Sequence, residues 1–533
     1  MLKKKIHRLL FVFLSSSMLN AQEYNCELLS RVVNVASGFP VYYATVKLSG
    51  TNQGVIADQD GQFRLPCDLE LSNSIVLSAI GYETKAVKID ELQRGEINII
   101  HLKPHVQHLE TVSLTVKKKK SDRKLPARLI VSRAIKNIPI NYPKLPYSYI
   151  GYYRDYQQPI GDSYARIKKQ HQKNANYINL NESIVEVFDA GFNTDYFENE
   201  SNQALVYSYN QNETFVRDQR LAIPYDNNKK KYLNRVFIPP FGGNEFNVLN
   251  VINSIRNRSR QSFSFADVFS KDFTKNHSFN LQGVTYLNDT PIYEISFVSN
   301  ASVSGKDHFA KGTIFVAKDT YSIHRLQYGL YSVNKKAPMY EVTIEYVPVN
   351  NKMYLNYITF NNEFKASSDH YFKIKEISFD PRAMFFDIHF NNELDEKSIH
   401  PVHKKFKIVY GEKEENVIID DISVLKDRLR LFVDKKQLLS MPDFKFRNLS
   451  EAIDVQIKNV KDTDGKLLNR IPKFVLYQYR ELFVQEVFPE KKILSEGVFM
   501  DKYLPLSKSH INSFDEQHKY WINTPLKGNE VVK

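Results

Sequence analysis

Histidines are the first residues to consider as ligands of a catalytic metal. A hydrolytic zinc centre holds its ion with three protein ligands and activates a water at the fourth position. Neither His-x-x-Glu nor His-Glu-x-x-His, the spacings that place two such groups on one helix, occurs among the 14 histidines. The closest groups are His400 with His403, and His101 with His105 and His108. We predict surface or core roles for both groups, and no metal or cofactor site.

Two aspartate–glycine segments contain carboxylates at the spacing with which calcium loops begin. They are Asp58-Gln-Asp-Gly61 and Asp462-Thr-Asp-Gly465. A complete helix–loop–helix calcium site needs further oxygen ligands and a bidentate glutamate at its twelfth position, which both segments lack. We therefore predict turns, in which the aspartate caps the backbone and the glycine adopts a positive φ.

The remaining nucleophile and acid–base patterns are weak. Ser-x-x-Lys occurs at Ser121, Ser332 and Ser423, but without the Ser-Asp-Asn and Lys-Thr-Gly segments that accompany it in penicillin-binding enzymes. Glu481 and Glu486 lie on a predicted helix near the C-terminus, where we expect them to be solvated. The sequence thus predicts no catalytic residues, and we expect a protein that is not an enzyme.

The two cysteines, Cys26 and Cys67, both lie in the N-terminal part of the chain, within one predicted domain. In an exported protein they could form a disulfide that closes a loop of about 40 residues and contributes roughly 4 kcal/mol. The other interpretation is two independent buried thiols. Both remain open at the level of the sequence.

The first 21 residues have the composition of a secretory signal peptide. A basic start, Met1–Lys5, precedes the apolar run Leu9–Leu14, and Ala21 ends a small-residue cleavage site. No later stretch reaches the 18 apolar residues of a spanning helix. We expect an exported protein in the periplasm or at the periplasmic face of the outer membrane.

The net charge of +13 bears on the choice of partner. Nucleic acid is not expected for an exported chain. Anionic lipid head groups or acidic glycans would suit a basic surface, although a solvated basic surface is the simpler interpretation.

Alternating strands and glycine turns predict a β-sandwich over residues 25–103. The pattern is carried by Gly38–Gly50, Gly54–Phe63, Ser74–Tyr82 and Glu96–Leu102. It resembles the carboxypeptidase-like regulatory domain, a seven-stranded prealbumin-like sandwich found at the N-termini of Gram-negative envelope proteins. The resemblance implies a cell-envelope location and no catalysis.

The rest of the chain is predicted to be a large antiparallel sheet with packed helices. A basic linker, 104–125, leads to an amphipathic helix at Pro126–Lys136 and then to many alternating strands within 126–410. A helical insert is expected near 244–255 as a cover for the sheet. The C-terminal part, 411–533, is predicted as an α+β extension on the sheet domain, with Pro472–Phe488 as a helix.

Two short segments carry a second resemblance. Gly312–Leu326 is similar to the strand–turn–strand repeat of periplasmic lipoprotein-carrier half-barrels, whose groove holds acyl chains. With Ala134–Ile138, Asn141–Pro143 and Gly151–Arg154, it also resembles the long domain that follows the regulatory module in exported proteins of this type. The first likeness implies a half-barrel-like sheet, and the second implies no activity.

The sequence therefore predicts a mostly β protein with a non-catalytic binding or scaffolding function in the envelope. A lipid or another hydrophobic ligand would bind in an aliphatic cavity under the 244–255 helix, whereas a filled core there would argue against it. A glycan is the other ligand class. The 32 Tyr and 35 Phe could stack on sugars or line an acyl groove, although core packing is the simpler interpretation of this surplus. The alternatives are a hydrolase of peptide or glycan with an unrecognised site, and an interaction protein that associates with an outer-membrane receptor or another envelope protein.

Overall fold

The computed structural model describes residues 26–67, 72–107, 125–171, 176–222, 231–232, 236–237, 245–259, 273–304, 306–334, 337–367, 371–399, 406–411, 414–441, 449, 452–494, 496–514 and 520–526. The chain divides into two compact units. One comprises Met1–Arg217, Asn228–Phe364 and Leu476–Lys533, and the other Asp218–Asn227 and Lys365–Val475. The signal peptide predicted for residues 1–21 lies outside the described residues.

A β-sandwich begins the first unit. In the described part of 26–103, a three-stranded sheet with the order β4-β1-β7 and a four-stranded sheet with the order β3-β2-β5-β6 enclose one core. The prediction of a seven-stranded sandwich is confirmed. Its strands are β1 (Glu27–Asn34), β2 (Thr45–Leu48), β3 (Gly54–Ile56), β4 (Gln62–Pro66), β5 (Ser74–Ser78), β6 (Lys85–Lys88) and β7 (Ile97–Leu102).

The strands of a large sheet follow, together with one short separate ladder formed by β12 and β13. They are β8 (Val106–Gln107), β9 (Tyr147–Pro159), β10 (Ile178–Asp189), β11 (Ala204–Gln211), β12 (Lys231–Tyr232), β13 (Val236–Phe237), β14 (His277–Leu287), β15 (Thr290–Ser299), β16 (His308–Ala317), β17 (Ile323–Ser332), β18 (Pro338–Val349) and β19 (Lys352–Ser367). Most of them pair with their chain neighbours as antiparallel hairpins.

The second unit has two sheets of its own, with the orders β20-β21-β25-β24 and β23-β22-β26, around a separate core. The strands are β20 (Ile374–Asp380), β21 (Phe385–Phe390), β22 (Phe406–Tyr410), β23 (Glu415–Val417), β24 (Ile419–Leu425), β25 (Arg428–Val433) and β26 (Ile453–Ile457). The predicted boundary at residue 410 is therefore wrong. After β19 the chain leaves the large sheet, and β20 to β26 pair among themselves.

The last long strand, β27 (Lys473–Pro489), returns to the large sheet and lies between β9 and β19. Across the described residues the sheet has eleven strands in the order β11-β10-β9-β27-β19-β18-β17-β16-β15-β14-β8. The predicted mostly β fold with a large antiparallel sheet is confirmed, but the predicted helix at Pro472–Phe488 is wrong. Because β27 is buried on both faces, its apolar residues do not alternate strictly, and their spacing imitates a helix.

Helices cover one face of the large sheet, and short helices and 3-10 turns occur elsewhere in the chain. They are α1 (Ala127–Asn141), α2 (Asp162–His171), α3 (Glu245–Ile252), α4 (Phe273–Asn276), α5 (Ala301–Ser304) and α6 (Lys435–Leu439), with 3-10 turns at Ile89–Glu91, Gln219–Ala222, Glu396–Ser398 and Leu506–Lys508. The predicted apolar side of α1 is buried at Ile130, Val131, Ala134 and Ile138. Among the described residues, no helix has the length and apolarity needed to cross a membrane.

Candidate functional site

The helix-covered face of the large sheet is filled by side chains. Phe246, Val248, Leu249 and Ile252 of α3 belong to one apolar cluster with the strands beneath them. A pocket lined in part by Asn250 and Asn253, beside α3, has a volume of only ≈ 10 Å³. The described residues under α3 thus form a packed core, whereas the predicted hydrophobic ligand would need an open cavity.

The opposite face of the sheet receives the N-terminal sandwich. Tyr43 stacks on Tyr357 of β19 with the ring centroids 5.0 Å apart, and on Phe483 of β27 at 6.3 Å. Asn356 Nδ2 donates to Thr45 Oγ1 at 2.9 Å. Aromatic contact and buried hydrogen bonds therefore join the two domains of this unit.

A C-terminal segment, 520–526, lies between the sandwich and the sheet. The Arg64 guanidinium of β4 donates to the carbonyl oxygens of Thr524 and Pro525, and Asn523 Oδ1 accepts from the Arg64 backbone N–H. Trp521 exchanges hydrogen bonds with Gln485 of β27. Trp521 is the single tryptophan of the chain, so its fluorescence reports on this junction.

A buried ion pair lies in the same interface. Arg154 Nε of β9 donates to Glu481 Oε2 of β27 at 2.6 Å, and both side chains are 0% exposed. The guanidinium also lies over the rings of Tyr156, Tyr177 and Phe483. Burial raises the pKa of Glu481, while Arg154 opposes that rise. The sequence prediction that Glu481 is solvated is wrong, because it assumed an exposed helix where the chain forms a central strand.

Further carboxylates on this face accept hydrogen bonds from a neighbouring strand and from the C-terminal segment. Tyr152 OH donates to Glu182 at 2.6 Å, and Tyr520 OH donates to Glu486 at 2.6 Å. Gln53 Nε2 of the sandwich also donates to Glu486, so the predicted solvated role of this glutamate is wrong as well. These hydrogen-bonded carboxylates fix the contact between the domains and leave the ligand surface to other residues.

Asp155 is the most perturbed carboxyl group on the helix-covered face. Burial, followed by the nearby Glu245, raises its pKa to about 7. It accepts hydrogen bonds from Asn181 Nδ2 at 2.7 Å and from Tyr153 OH at 3.1 Å. Asp155 is 2% exposed and Glu245 is 6% exposed, so neither oxygen pair faces a surface where a substrate could bind.

Asp155 should make stability depend on pH. Its folded pKa exceeds the unfolded value of about 3.9, so its protonated form stabilises the fold below about pH 4 and this contribution is lost as the pH rises through 7. An asparagine amide at this position has no such proton to lose. We expect Asp155→Asn to gain about 4 kcal/mol relative to wild type between pH 4 and pH 8. Urea unfolding at both pH values measures this, and a difference that is independent of pH would contradict it.

An open groove lies on β14–β18, on the same side of the sheet as the ion pair. Its volume is ≈ 540 Å³, which is in the range of small-molecule sites. Its lining residues come from those five strands: Ser278, Phe279, Asn280, Ser296, Phe297, Val298, Lys311, Gly312, Thr313, Gln327, Tyr328, Gly329, Tyr331 and Glu341. We call this surface the sheet groove.

Strand register orders the outward-facing side chains of the sheet groove into rows. Asn280 pairs with Ser296, Ser296 with Thr313, and Thr313 with Gln327. We call these four uncharged residues the polar row. Neighbouring strands are about 4.8 Å apart, so the row is about 14 Å long. It presents hydroxyl and amide groups along the floor of the groove.

Tyr331 forms the aromatic part of the sheet groove. Its ring lies over Gly329, where an added Cβ would be only 2.9 Å from the ring carbon Cε2. Phe309 stacks beside it at 5.4 Å, and Lys311 Nζ lies 4.4 Å from the ring centroid. A residue larger than glycine at 329 would displace this ring. No feature of the sequence alone distinguished Tyr331 from the other tyrosines.

The charged groups of the groove have opposite signs. Lys311 and Glu341 both pair with Gly329, from the strands on either side of it. Burial raises the pKa of Glu341, while a hydrogen bond from Asn361 and the charge of Lys311 oppose the rise. The lining contains one carboxylate and no histidine.

The other residues selected from the sequence have structural positions. Cys26 and Cys67 form a disulfide, which joins the start of β1 to the end of β4. Asp58 Oδ1 accepts from the backbone N–H groups of Asp60 and Gln62, and Gly61 has a φ of 72°, as predicted for a turn. No metal-binding group of histidine, cysteine, aspartate or glutamate occurs within the described ranges, and His108, His400 and His403 lie outside those ranges.

Comparison with known proteins gives results for parts of the chain. A LolA superfamily protein from Nitrosomonas europaea has 12% sequence identity, and the match covers 45% of this chain and 86% of that chain with a TM-score of 0.19. A DUF1329 family protein from Desulfovibrio piger has 10% identity, with 44% and 86% covered and a TM-score of 0.19. We draw nothing from these two about a ligand or an activity. No curated protein matches the chain.

The family comparison concerns the N-terminal sandwich. Residues 31–114 match the model of the CarboxypepD_reg-like domain. The match covers most of the range predicted from the glycine turns and alternating strands, 25–103. The resemblance of the first domain to the carboxypeptidase-like regulatory domain is thereby confirmed.

Proposed function

We propose that this protein is a non-catalytic binding protein of the cell envelope, and that the sheet groove is its ligand site. The observation that carries the proposal is an open space of ≈ 540 Å³ on a sheet whose helix-covered face is packed. Its lining combines aromatic residues, among them Tyr331, with convergent polar groups, as ligand sites commonly do.

Two features support the envelope location. The disulfide between Cys26 and Cys67 suits an oxidising compartment outside the cytoplasm. The basic and apolar start of the chain has the composition of an export signal. A periplasmic or outer-membrane-associated position is therefore part of the proposal.

The composition of the groove favours binding over catalysis. A hydrolase would need an acid–base pair, or a nucleophile with its base, within reach of one substrate atom. The titratable side chains in the lining are Lys311, Tyr331 and Glu341, with Tyr328 turned to the buried side. Asp155 and Glu245 are carboxylates close to each other, but both are buried on the helix-covered face of the sheet, away from the groove. Binding is the function that this arrangement favours.

A groove-filling variant tests the proposal. Thr313→Trp would place an indole ring in the centre of the groove, because Thr313 is a half-buried member of the polar row. Native mass spectrometry of protein purified from the cell envelope should show a non-peptide mass on wild type and lose it in this variant.

The matched control is Thr290→Trp, at an exposed position at the start of β15 and outside the groove lining. This variant should keep the bound mass. Equal retention by both variants would place the ligand elsewhere and contradict the proposal.

A further inference from the structure

The chemistry of the sheet groove narrows the class of its ligand, an inference that rests on the function proposed above. The polar row offers two amides and two hydroxyls, which together donate and accept hydrogen bonds. Ser278 and Asn280 are exposed, and Ser296, Thr313 and Gln327 are half-buried. A ligand that matches this row must itself carry several donors and acceptors along about 14 Å.

An acyl chain does not fit this surface. Covering the polar row with a hydrocarbon would remove water from its amides and hydroxyls without replacing the lost hydrogen bonds, which is unfavourable for each group. The apolar side chains that could form an acyl channel face the other side of the sheet, where Ile314, Leu326 and Val342 are 0% exposed.

An extended peptide is also a poor fit. Peptides that bind to sheets usually add as a strand to a free edge, where backbone groups are unpaired. β15 to β18, which carry most of the lining, each have a neighbouring strand on both sides, so the groove lies mainly on a sheet face; β14 pairs with β8 only at Val284 and Thr285. Binding there must use side chains.

The aromatic and charged groups add two further constraints. The half-buried Tyr331 ring contacts Gly329 with one end, stacks on Phe309 and forms the aromatic wall of the groove. Lys311 and Glu341 lie on opposite sides of that ring with opposite charges, so the groove has no excess of either sign. A ligand with a net charge would be attracted by one of them and repelled by the other, so the pair gives no net attraction for either sign.

We propose that the sheet groove binds an uncharged oligosaccharide, with Tyr331 stacked on a sugar ring and the polar row bonded to hydroxyl groups. Sugar rings present apolar C–H faces and hydroxyl edges, which correspond to the two kinds of surface in the groove. Because the ring and the polar row supply the contacts, a sugar can bind to the open sheet face without hydrogen bonds to the protein backbone.

The sandwich extends this site at one end. Arg325 precedes Gln327 by two residues in β17, so it lies on the same side of the strand, about 7 Å away and in the direction opposite to Tyr331. Arg325 pairs with Glu345, and Glu345 with Tyr357, on whose ring Tyr43 of the sandwich stacks. Tyr42, next to Tyr43, is 56% exposed there. A longer ligand would reach Tyr42, and a disaccharide on Tyr331 would not.

The test is isothermal titration calorimetry of the full-length protein with maltohexaose, cellohexaose and chitohexaose and with the matching disaccharides. At least one hexasaccharide should bind with a Kd below about 1 mM. Tyr331→Ala and Gln327→Ala should each weaken it about tenfold or more, and Thr313→Trp should abolish it. Tyr42→Ala should weaken the hexasaccharide and leave the disaccharide unchanged.

Tyr503→Ala is the control, because Tyr503 is 80% exposed and outside the groove lining. It should leave binding unchanged, and thermal melting should show that every variant is folded. Binding that survives Tyr331→Ala, Gln327→Ala and Thr313→Trp would overturn the inference. So would a panel in which no sugar binds.

The failure of the inference can be told apart from that of the proposed function. If palmitate bound to wild type and was excluded by Thr313→Trp while no sugar bound, the groove would be a ligand site for a different class. If neither sugar nor palmitate bound and wild type carried no mass in native spectra, both would fail.

Discussion

Replacing Arg154 with methionine is expected to lower the free energy of unfolding by about 3–5 kcal/mol, because it leaves the Glu481 carboxylate buried without its cation. Methionine fills much of the space that the arginine side chain occupies among Tyr156, Tyr177 and Phe483. The loss of stability therefore reflects the missing charge more than the formation of a cavity. Urea unfolding followed by Trp521 fluorescence measures the effect at the junction of the sandwich and the sheet.

A second variant removes the buried charge that Arg154→Met leaves unpaired. The double variant Arg154→Met with Glu481→Gln should recover most of the lost stability, since a buried neutral pair has no unpaired charge to desolvate. An exposed pair gives the control: Lys103, 69% exposed beside Glu83, should lose less than about 1 kcal/mol on replacement by methionine. A double variant as unstable as the single one would contradict the account of this ion pair.

Removing the disulfide is the other change with a large expected effect. Replacing both Cys26 and Cys67 with serine frees a loop with a sequence separation of 41 residues, which the chain-entropy model values at about 4 kcal/mol. The melting transition of the sandwich, measured by calorimetry, should move to lower temperature.

Reduction of the wild type provides the matching control. Dithiothreitol should lower the transition of wild type towards that of the double serine variant and leave the variant unchanged. A variant that melts with oxidised wild type would show that the antiparallel pairing of β1 with β4 alone holds the two ends together.

The sandwich was predictable because its signals are local. The turn at Asp58–Gly61 places a glycine with a φ of 72° where an added Cβ would be 2.5 Å from the Val32 carbonyl oxygen. β4, which follows the turn, and β1, with which it pairs, alternate between buried and partly exposed residues. Turn chemistry and period-two burial are both readable from neighbouring residues.

The central strand was missed because its environment depends on distant parts of the chain. β27 follows β9 by more than 300 residues and pairs with it along most of its length. Its burial on both faces removed the alternation that marks a half-buried strand. The Arg154–Glu481 pair could not be foreseen for the same reason, since each partner becomes buried only through this pairing.

The sheet groove could not be predicted from the sequence either. Most of its residues are ordinary outward-facing positions on five strands, and only strand register aligns Asn280, Ser296, Thr313 and Gln327 in one row. The surplus of tyrosines was compatible with a glycan, an acyl ligand or a packed core, and nothing selected Tyr331. The hydrophobic-ligand prediction and the non-enzymatic prediction stay predictions.

A crystal structure of the full-length protein purified with its natural ligand would test the central claim most directly. We expect electron density over Tyr331 and along the polar row, with the core under α3 still filled by Phe246, Leu249 and Ile252. Density for a chain-like ligand between α3 and the sheet, with the groove open to solvent, would contradict the claim.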